Sequence, residues 1–198
     1  MLNSIKQLKR SVYKITTTMA SIVNKGTGAG GSKTNENGLP YEEITNLNDR
    51  QKVIKNGTYS KTISFDDNKI EFIKTEQSRF MKYMDDKMDK SISKAHGCKN
   101  PDECYINEKT KIIFIIEKKF QQTSGSVCEK IQTPHFKIWH YKRSFPEYKI
   151  VYMYCLSDWF MYNCVSEIEY LSHFNIPFFW GNHKTYKDEI IKFIINYK

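Results

Sequence analysis

Lys111-Ile112-Ile113-Phe114-Ile115-Ile116-Glu117-Lys118-Lys119-Phe120 is the stretch on which the fold turns. Its apolar run predicts a buried strand, and the run ends abruptly in charge. Upstream stands Pro101-Asp102, with fourteen residues between Asp102 and Glu117. Alternate side chains of a strand share one face, so Glu117 and Lys119 point the same way. A short strand near Glu103 to Asn107, turning back through Asn107 to Thr110, brings Asp102 to the same end.

An acidic residue two positions before a lysine is a cheap pattern in a lysine-rich chain. It recurs as Asp67 and Lys69, Asp85 and Lys87, Glu117 and Lys119, and Glu147 and Lys149. Asp67 falls in a hairpin turn, and Glu147 precedes its strand. Asp85 lies on an amphipathic helix, where residues two apart do not face together. Only Glu117 ends a run apolar enough to be buried. Two strand-borne carboxylates with an open coordination side suit Mg²⁺, which binds hard oxygens and keeps waters. Such a metal offsets phosphate charge and acidifies a bound water, while Lys119 orients that water or stabilises the transition state. The competing reading makes Glu117 and Lys119 ordinary polar residues at a strand end and Asp102 a turn residue after proline.

Outward from this strand, residues 61 to 74 alternate apolar and polar around an Asp-Asp-Asn turn, which predicts a hairpin. Phe80, Met81, Met84 and Met88 recur at helical spacing and read as packing. A polar turn from Gln121 to Gly125 leads to a helical region from about Ser126 to Arg143, kinked near Pro134. Tyr148 to Leu156 reads as a strand, Cys164 to Phe174 as a helix, Ile176 to Trp180 as a short strand and Lys184 to Tyr197 as a closing helix. This order is α/β with a central mixed β-sheet flanked by helices.

The chain of 198 residues suits one domain with a short appendage. Residues 1 to 24 carry Leu2, Ile5, Leu8, Val12 and Ile15 at helical spacing, with Lys6, Lys9, Arg10 and Lys14 and no acidic residue, which predicts a basic N-terminal helix. Met19 is an alternative start. A glycine-rich loop, Gly26 to Gly38, precedes Leu39-Pro40-Tyr41-Glu42, where Pro40 suits the first turn of a helix. The loop fails as a nucleotide-binding P-loop, because Ser32 stands where the lysine belongs and Lys33 where Ser or Thr belongs.

With 39% hydrophobic and 14% aromatic residues the chain is globular, and its +9 net charge points to a polyanionic partner or to coding bias towards lysine. No stretch approaches the ~18 to 20 apolar residues of a membrane span. A soluble intracellular protein is therefore expected, in the cytoplasm, or virion-associated if the chain is viral. The five cysteines lack a compact framework and are expected to be reduced. His96, Cys98 and Cys104 offer three zinc ligands, but no CxxC or HxxxH pair accompanies them. His135 and His140 lack an Asp or Ser partner at interpretable spacing. Asp158-Trp159-Phe160 reads as aromatic core packing after a strand.

Pro101-Asp102, the following gap and Glu117-Lys118-Lys119 resemble the PD-(D/E)XK nuclease superfamily. More narrowly, the loop running into Asn37-Gly38-Leu39-Pro40-Tyr41-Glu42 and the run from Glu117 to Ser126 are similar to type II restriction endonuclease-like proteins of large DNA viruses and bacteria. The similarity covers about residues 24 to 180. It implies a restriction endonuclease-like fold over residues 25–198 and Mg²⁺-dependent hydrolysis of double-stranded DNA. It further implies Asp102, Glu117 and the Lys118 carbonyl as metal ligands, Lys119 as catalytic lysine and Glu42 as the acidic residue of the first core helix. Gln121, Gln122, Ser124, Ser126 and Lys33 would contact phosphate or form polar turns. Lys130, Lys137, Lys142 and Arg143 would line a DNA groove or a solvated face. Cutting two strands favours a homodimer. A repair, recombination or junction-resolving nuclease, or a silent DNA-binding module, are the alternatives.

Overall fold

Ile112–Lys119 forms β5, an interior strand of a seven-stranded sheet whose order in space follows its order in sequence. The computed structural model describes residues 32–66, 68–88, 99–122 and 128–198. The basic N-terminal helix, the glycine-rich loop before Ser32, His96, Cys98, Ser124 and Ser126 all lie outside them.

Five strands form an antiparallel meander: β1 (Gln51–Asn56), β2 (Lys61–Phe65), β3 (Glu71–Thr75), β4 (Glu103–Asn107) and β5. β6 (Lys149–Leu156) then pairs parallel with β5, and β7 (Phe178–Trp180) parallel with β6. Parallel neighbours need a crossover on a sheet face. Helix α3 (Pro134–Ser144) supplies the one between β5 and β6. Before it come α1 (Ser32–Ile44) and α2 (Gln77–Lys87). After β6 come α4 (Trp159–Asn163) and α5 (Val165–His173), and α6 (Tyr186–Asn196) closes the chain.

Strand parity divides the core. Ile113 and Ile115 of β5 pack with Cys104, Ile106, Tyr152 and Tyr154 beneath α2, α3 and α5. Ile112, Phe114 and Ile116 pack on the opposite face with Tyr105, Val151 and Met153, under Tyr41 of α1 and Ile190, Ile191 and Ile194 of α6. Both faces being covered, β5 carries no polar alternation until its end. The α/β class and the mixed sheet flanked by helices are thus as expected. Among the described residues, no helix is long and apolar enough to cross a membrane.

Three local expectations need correction, and one strand was not expected. Helix α1 begins at Ser32, so Pro40 lies inside it rather than in its first turn. The turn after Pro40 is the packed one, with Tyr41 and Thr45 buried and the Thr45 amide and hydroxyl both donating to the Tyr41 carbonyl. Pro134 does not kink a helix running from Ser126. It starts α3, where its missing N–H costs nothing, after a separate 3-10 turn at Cys128–Ile131. β1 was not anticipated, because its side chains are almost all exposed and it is held by main-chain pairing to β2 alone. Finally, Cys128 and Cys164 are not reduced thiols but a disulfide. Their Cα atoms lie 5.6 Å apart where the 3-10 turn meets the start of α5, within ordinary bridging range. Cys104 and Cys155 are buried free thiols.

Candidate functional site

The parity that splits the core also builds the site. Glu117 and Lys119 continue the face of Ile113 and Ile115, and Asp102, just before β4, lies on that face with Cys104. Lys118 and Glu103 fall on the opposite face. Antiparallel register sets Glu103 across from Ile116 and so brings Asp102 to the end of β5.

Lys119 Nζ is the cation around which the first group gathers. It lies 2.6 Å from Glu117 Oε1 and 3.9 Å from Asp102 Oδ2. It also donates to the Lys118 carbonyl at 3.1 Å. Asp102 Oδ2 accepts the Lys118 backbone amide at 2.8 Å, which fixes that carboxylate against the strand. The three oxygens that the resemblance implies as metal ligands therefore all face the Lys119 ammonium. The group lies at the carboxyl ends of the parallel pair β5 and β6, where open α/β sheets present ligands.

Lys137 has a different place from the one expected. It does not line a groove from α3 but reaches inward to Glu117 Oε1 at 2.9 Å, with its ammonium 5.5 Å from the Tyr152 ring centre. A helix packed over a sheet face directs one stripe of side chains downward, and position 137 lies beside the buried Tyr141 and Ser144 on that stripe.

The two carboxylates are pushed apart in acidity. Burial, then the nearby Glu117 charge, raises Asp102 above the ordinary aspartate range despite Lys119. Burial also works on Glu117, but the ammoniums of Lys119 and Lys137 outweigh it and hold Glu117 below its usual value. Of the two, Glu117 keeps its negative charge to the lower pH.

Behind the site lies a buried ion pair that sequence reasoning missed. Lys118 Nζ meets Glu103 Oε2 at 2.8 Å, with the two side chains 3% and 2% exposed. Lys118 Nζ also donates to the Glu42 carbonyl at 3.0 Å, tying α1 to the end of β5. Glu103 Oε1 accepts the Tyr105 hydroxyl at 2.5 Å and the Leu47 amide at 3.2 Å. Burial alone would raise Glu103, yet the Lys118 charge holds it low. The available signal was parity: Lys118 shares its face with Ile112, Phe114 and Ile116, so its side chain had to point inward.

Glu42 lines a cleft with Asp102, Glu103 and Lys118. Burial, then the Asp102 charge, raises its pKa above the ordinary glutamate value. It comes from the opposite sheet face and does not close a three-carboxylate set. Among the described residues, the three metal-capable side chains with ligand atoms within 4.8 Å of one another are Cys128, Cys164 and Glu167, and the two cysteines are spent in their disulfide.

The remaining sequence-selected residues lie around this centre. The Gln121 amide donates to Ser157 Oγ, which donates back to the Gln121 carbonyl, both at 3.1 Å, so the chain leaving β5 is pinned to the end of β6. Gln122, Lys130, Lys142 and Arg143 are exposed. Lys33 falls in the first turn of α1, with its side chain outside the described set. His135 Nδ1 shares a hydrogen bond with the Tyr170 hydroxyl at 2.6 Å, and His140 stacks on Trp139. Phe160 is core, as expected.

What the arrangement offers chemically is a hard-oxygen set of two carboxylates and a carbonyl, with one lysine on the strand and another from the crossover helix. Compared with protein-family models, with curated proteins and with solved structures, the chain matches none.

Proposed function

We propose that the chain is a Mg²⁺-dependent DNA endonuclease with a restriction endonuclease-like fold, hydrolysing phosphodiester bonds in double-stranded DNA. One observation carries the reading: Glu117 Oε1, the Lys118 carbonyl and Asp102 Oδ2 all face Lys119 Nζ at the end of β5. Turned towards one ammonium, these three oxygens are the hard-ligand set that a small divalent ion takes. The mixed sheet, with α1 ahead of the antiparallel strands and α3 crossing over to β6, supports the fold reading.

Asp102, Glu117 and the Lys118 carbonyl would hold Mg²⁺, and their hard oxygens fit it. Bound there, the ion would supply phosphate neutralisation and an acidified water. Lys119 shares the strand face of Glu117 and can donate to that water or to a phosphate oxygen, stabilising charge where it develops. Lys137 keeps Glu117 ionised and in place from the α3 side. The +9 net charge favours the polyanion, and a second copy would supply the second cut.

The test is plasmid DNA with and without Mg²⁺, using wild type, Lys119→Ala and Lys149→Ala. Lys149 begins β6 opposite Ile112, whereas Lys119 pairs with Leu156, so the control sits at the far end of the same strands. Wild type and Lys149→Ala should cut only with Mg²⁺, and Lys119→Ala should remain folded and bind DNA while cutting about a hundredfold or more slower. Cleavage lost in Lys149→Ala but kept in Lys119→Ala, or absent from wild type with every DNA offered, refutes the reading.

A further inference from the structure

Helix α3 turns one face down to the site and leaves another uncovered. Phe136 is 61% and Trp139 52% exposed, unusual for rings of that size. With His140 and Arg143 they occupy positions i, i+3, i+4 and i+7, a single stripe of the helix. Along it the rings are nearly continuous. Phe136 and Trp139 centres lie 5.8 Å apart, His140 stacks on Trp139 with planes 18° apart, and the Arg143 guanidinium lies 5.6 Å over the Trp139 ring.

Charge says what this face would accept. Helix α3 carries Lys137, Lys142 and Arg143 and no acidic residue. Apolar rings on a wholly basic helix suit a ligand that is flat and uncharged in one part and anionic in another. Nucleotides with unpaired bases have that composition, since bases stack on aromatic rings while phosphates pair with Lys and Arg. The same helix sends Lys137 to Glu117, so this face and the candidate site are two sides of one rigid element.

We infer that the exposed face of α3, built on Phe136, Trp139 and His140 with Arg143 and Lys142, is a stacking platform for unpaired bases beside the scissile phosphate. It rests on the nuclease reading for its place and narrows the substrate to DNA with a locally unpaired segment. A fully stacked duplex offers its base faces to no protein ring, so it would leave this platform unused.

The experiment compares an intact duplex with the same duplex interrupted by a short unpaired gap, in EDTA so that nothing is cut. Anisotropy gives affinity, and emission from Trp139, one of three tryptophans, reports stacking. Wild type should bind the gapped DNA about ten- to a hundredfold more tightly, with quenching that the duplex does not cause. Trp139→Ala should lose most of that preference and its quenching, while Trp139→Phe should keep the preference. Equal affinity for both DNAs, or a preference unchanged in Trp139→Ala, overturns the inference. So does a wild-type dimer that Trp139→Ala or Phe136→Ala converts to monomer in sedimentation, which would make the face a contact between copies. Plasmid cleavage in Mg²⁺ is scored separately. Preference for gapped DNA without cleavage of any DNA sinks the nuclease reading and keeps the platform, and cleavage without preference does the reverse.

Discussion

Replacing Lys118 with methionine should be among the most damaging single changes available at this end of the sheet. The substitution keeps most of the aliphatic volume and deletes one charge, leaving Glu103 with the Tyr105 hydroxyl, the Leu47 amide and the weaker influence of Lys74 in place of its direct counter-ion. Removing one partner of a fully buried pair typically costs about 3 to 5 kcal/mol, because the survivor stays desolvated and uncompensated. In a domain of this size each kcal/mol moves the melting temperature by about 2 to 4 °C, so a fall of roughly 6 to 20 °C is expected. Glu103→Gln/Lys118→Met should recover much of it. The glutamine oxygen can still accept from Tyr105 and Leu47, and the residual cost is about 1 kcal/mol for the donor lost to the Glu42 carbonyl. Urea unfolding of wild type, both single variants and the double variant, followed by fluorescence and circular dichroism, closes the cycle. A coupling of about 2 kcal/mol or more is expected. Single costs that add to within about 0.5 kcal/mol, or a Lys118→Met cost below about 1 kcal/mol, would refute the pairing.

Two further changes probe other contacts. A methyl group at Gly181 would run into the Tyr41 hydroxyl and come within 2.7 Å of Cys155 Sγ, so Gly181→Ala should cost about 1 to 3 kcal/mol in unfolding experiments, whereas a neutral result would show that α1 is not seated there. Glu108 accepts the Tyr83 and Tyr148 hydroxyls at 2.7 and 3.0 Å and pairs with Lys111 at 3.2 Å. Burial opposes these bonds, which still hold it below the usual glutamate value of 4.5. Its stabilisation is thus complete above about pH 4.5 and is lost as pH falls through the lower folded value. The wild-type advantage over Glu108→Gln, about 1 kcal/mol at pH 7, should vanish in acid; an advantage that grows on acidification contradicts the assignment.

The fold was legible where burial leaves a periodic trace. Ile112 to Ile116 declare a strand covered on both faces, and Phe80, Met81 and Met84 declare the inner stripe of α2. Gln51–Asn56 declares nothing, since an edge strand with exposed side chains is selected by its main-chain partners. The start of α1 was hidden for a related reason. Pro40 is the strongest local signal in that region, yet the helix carries it because Tyr41 and Thr45 are fixed by packing just beyond it. Proline marks where a helix costs energy, and tertiary contacts decide whether that cost is met.

The site divides along the same line. Asp102, Glu117 and Lys119 could be assembled on paper because one hairpin and the two-residue period of a strand bring them together, all within adjacent elements. Lys137 could not, because its approach to Glu117 depends on how α3 crosses the sheet after the β5 to β6 connection. Its basic neighbours Lys142 and Arg143 look identical in sequence and point away. The Glu103 and Lys118 pair stands between these cases. The period that assigned Glu117 and Lys119 to one face assigns Lys118 to the other, and β4 then places Glu103 beside it. A cation on the buried face of a strand needs a carboxylate within reach, so the same argument, extended by one residue, leads from the outer acid group to the inner ion pair beneath it.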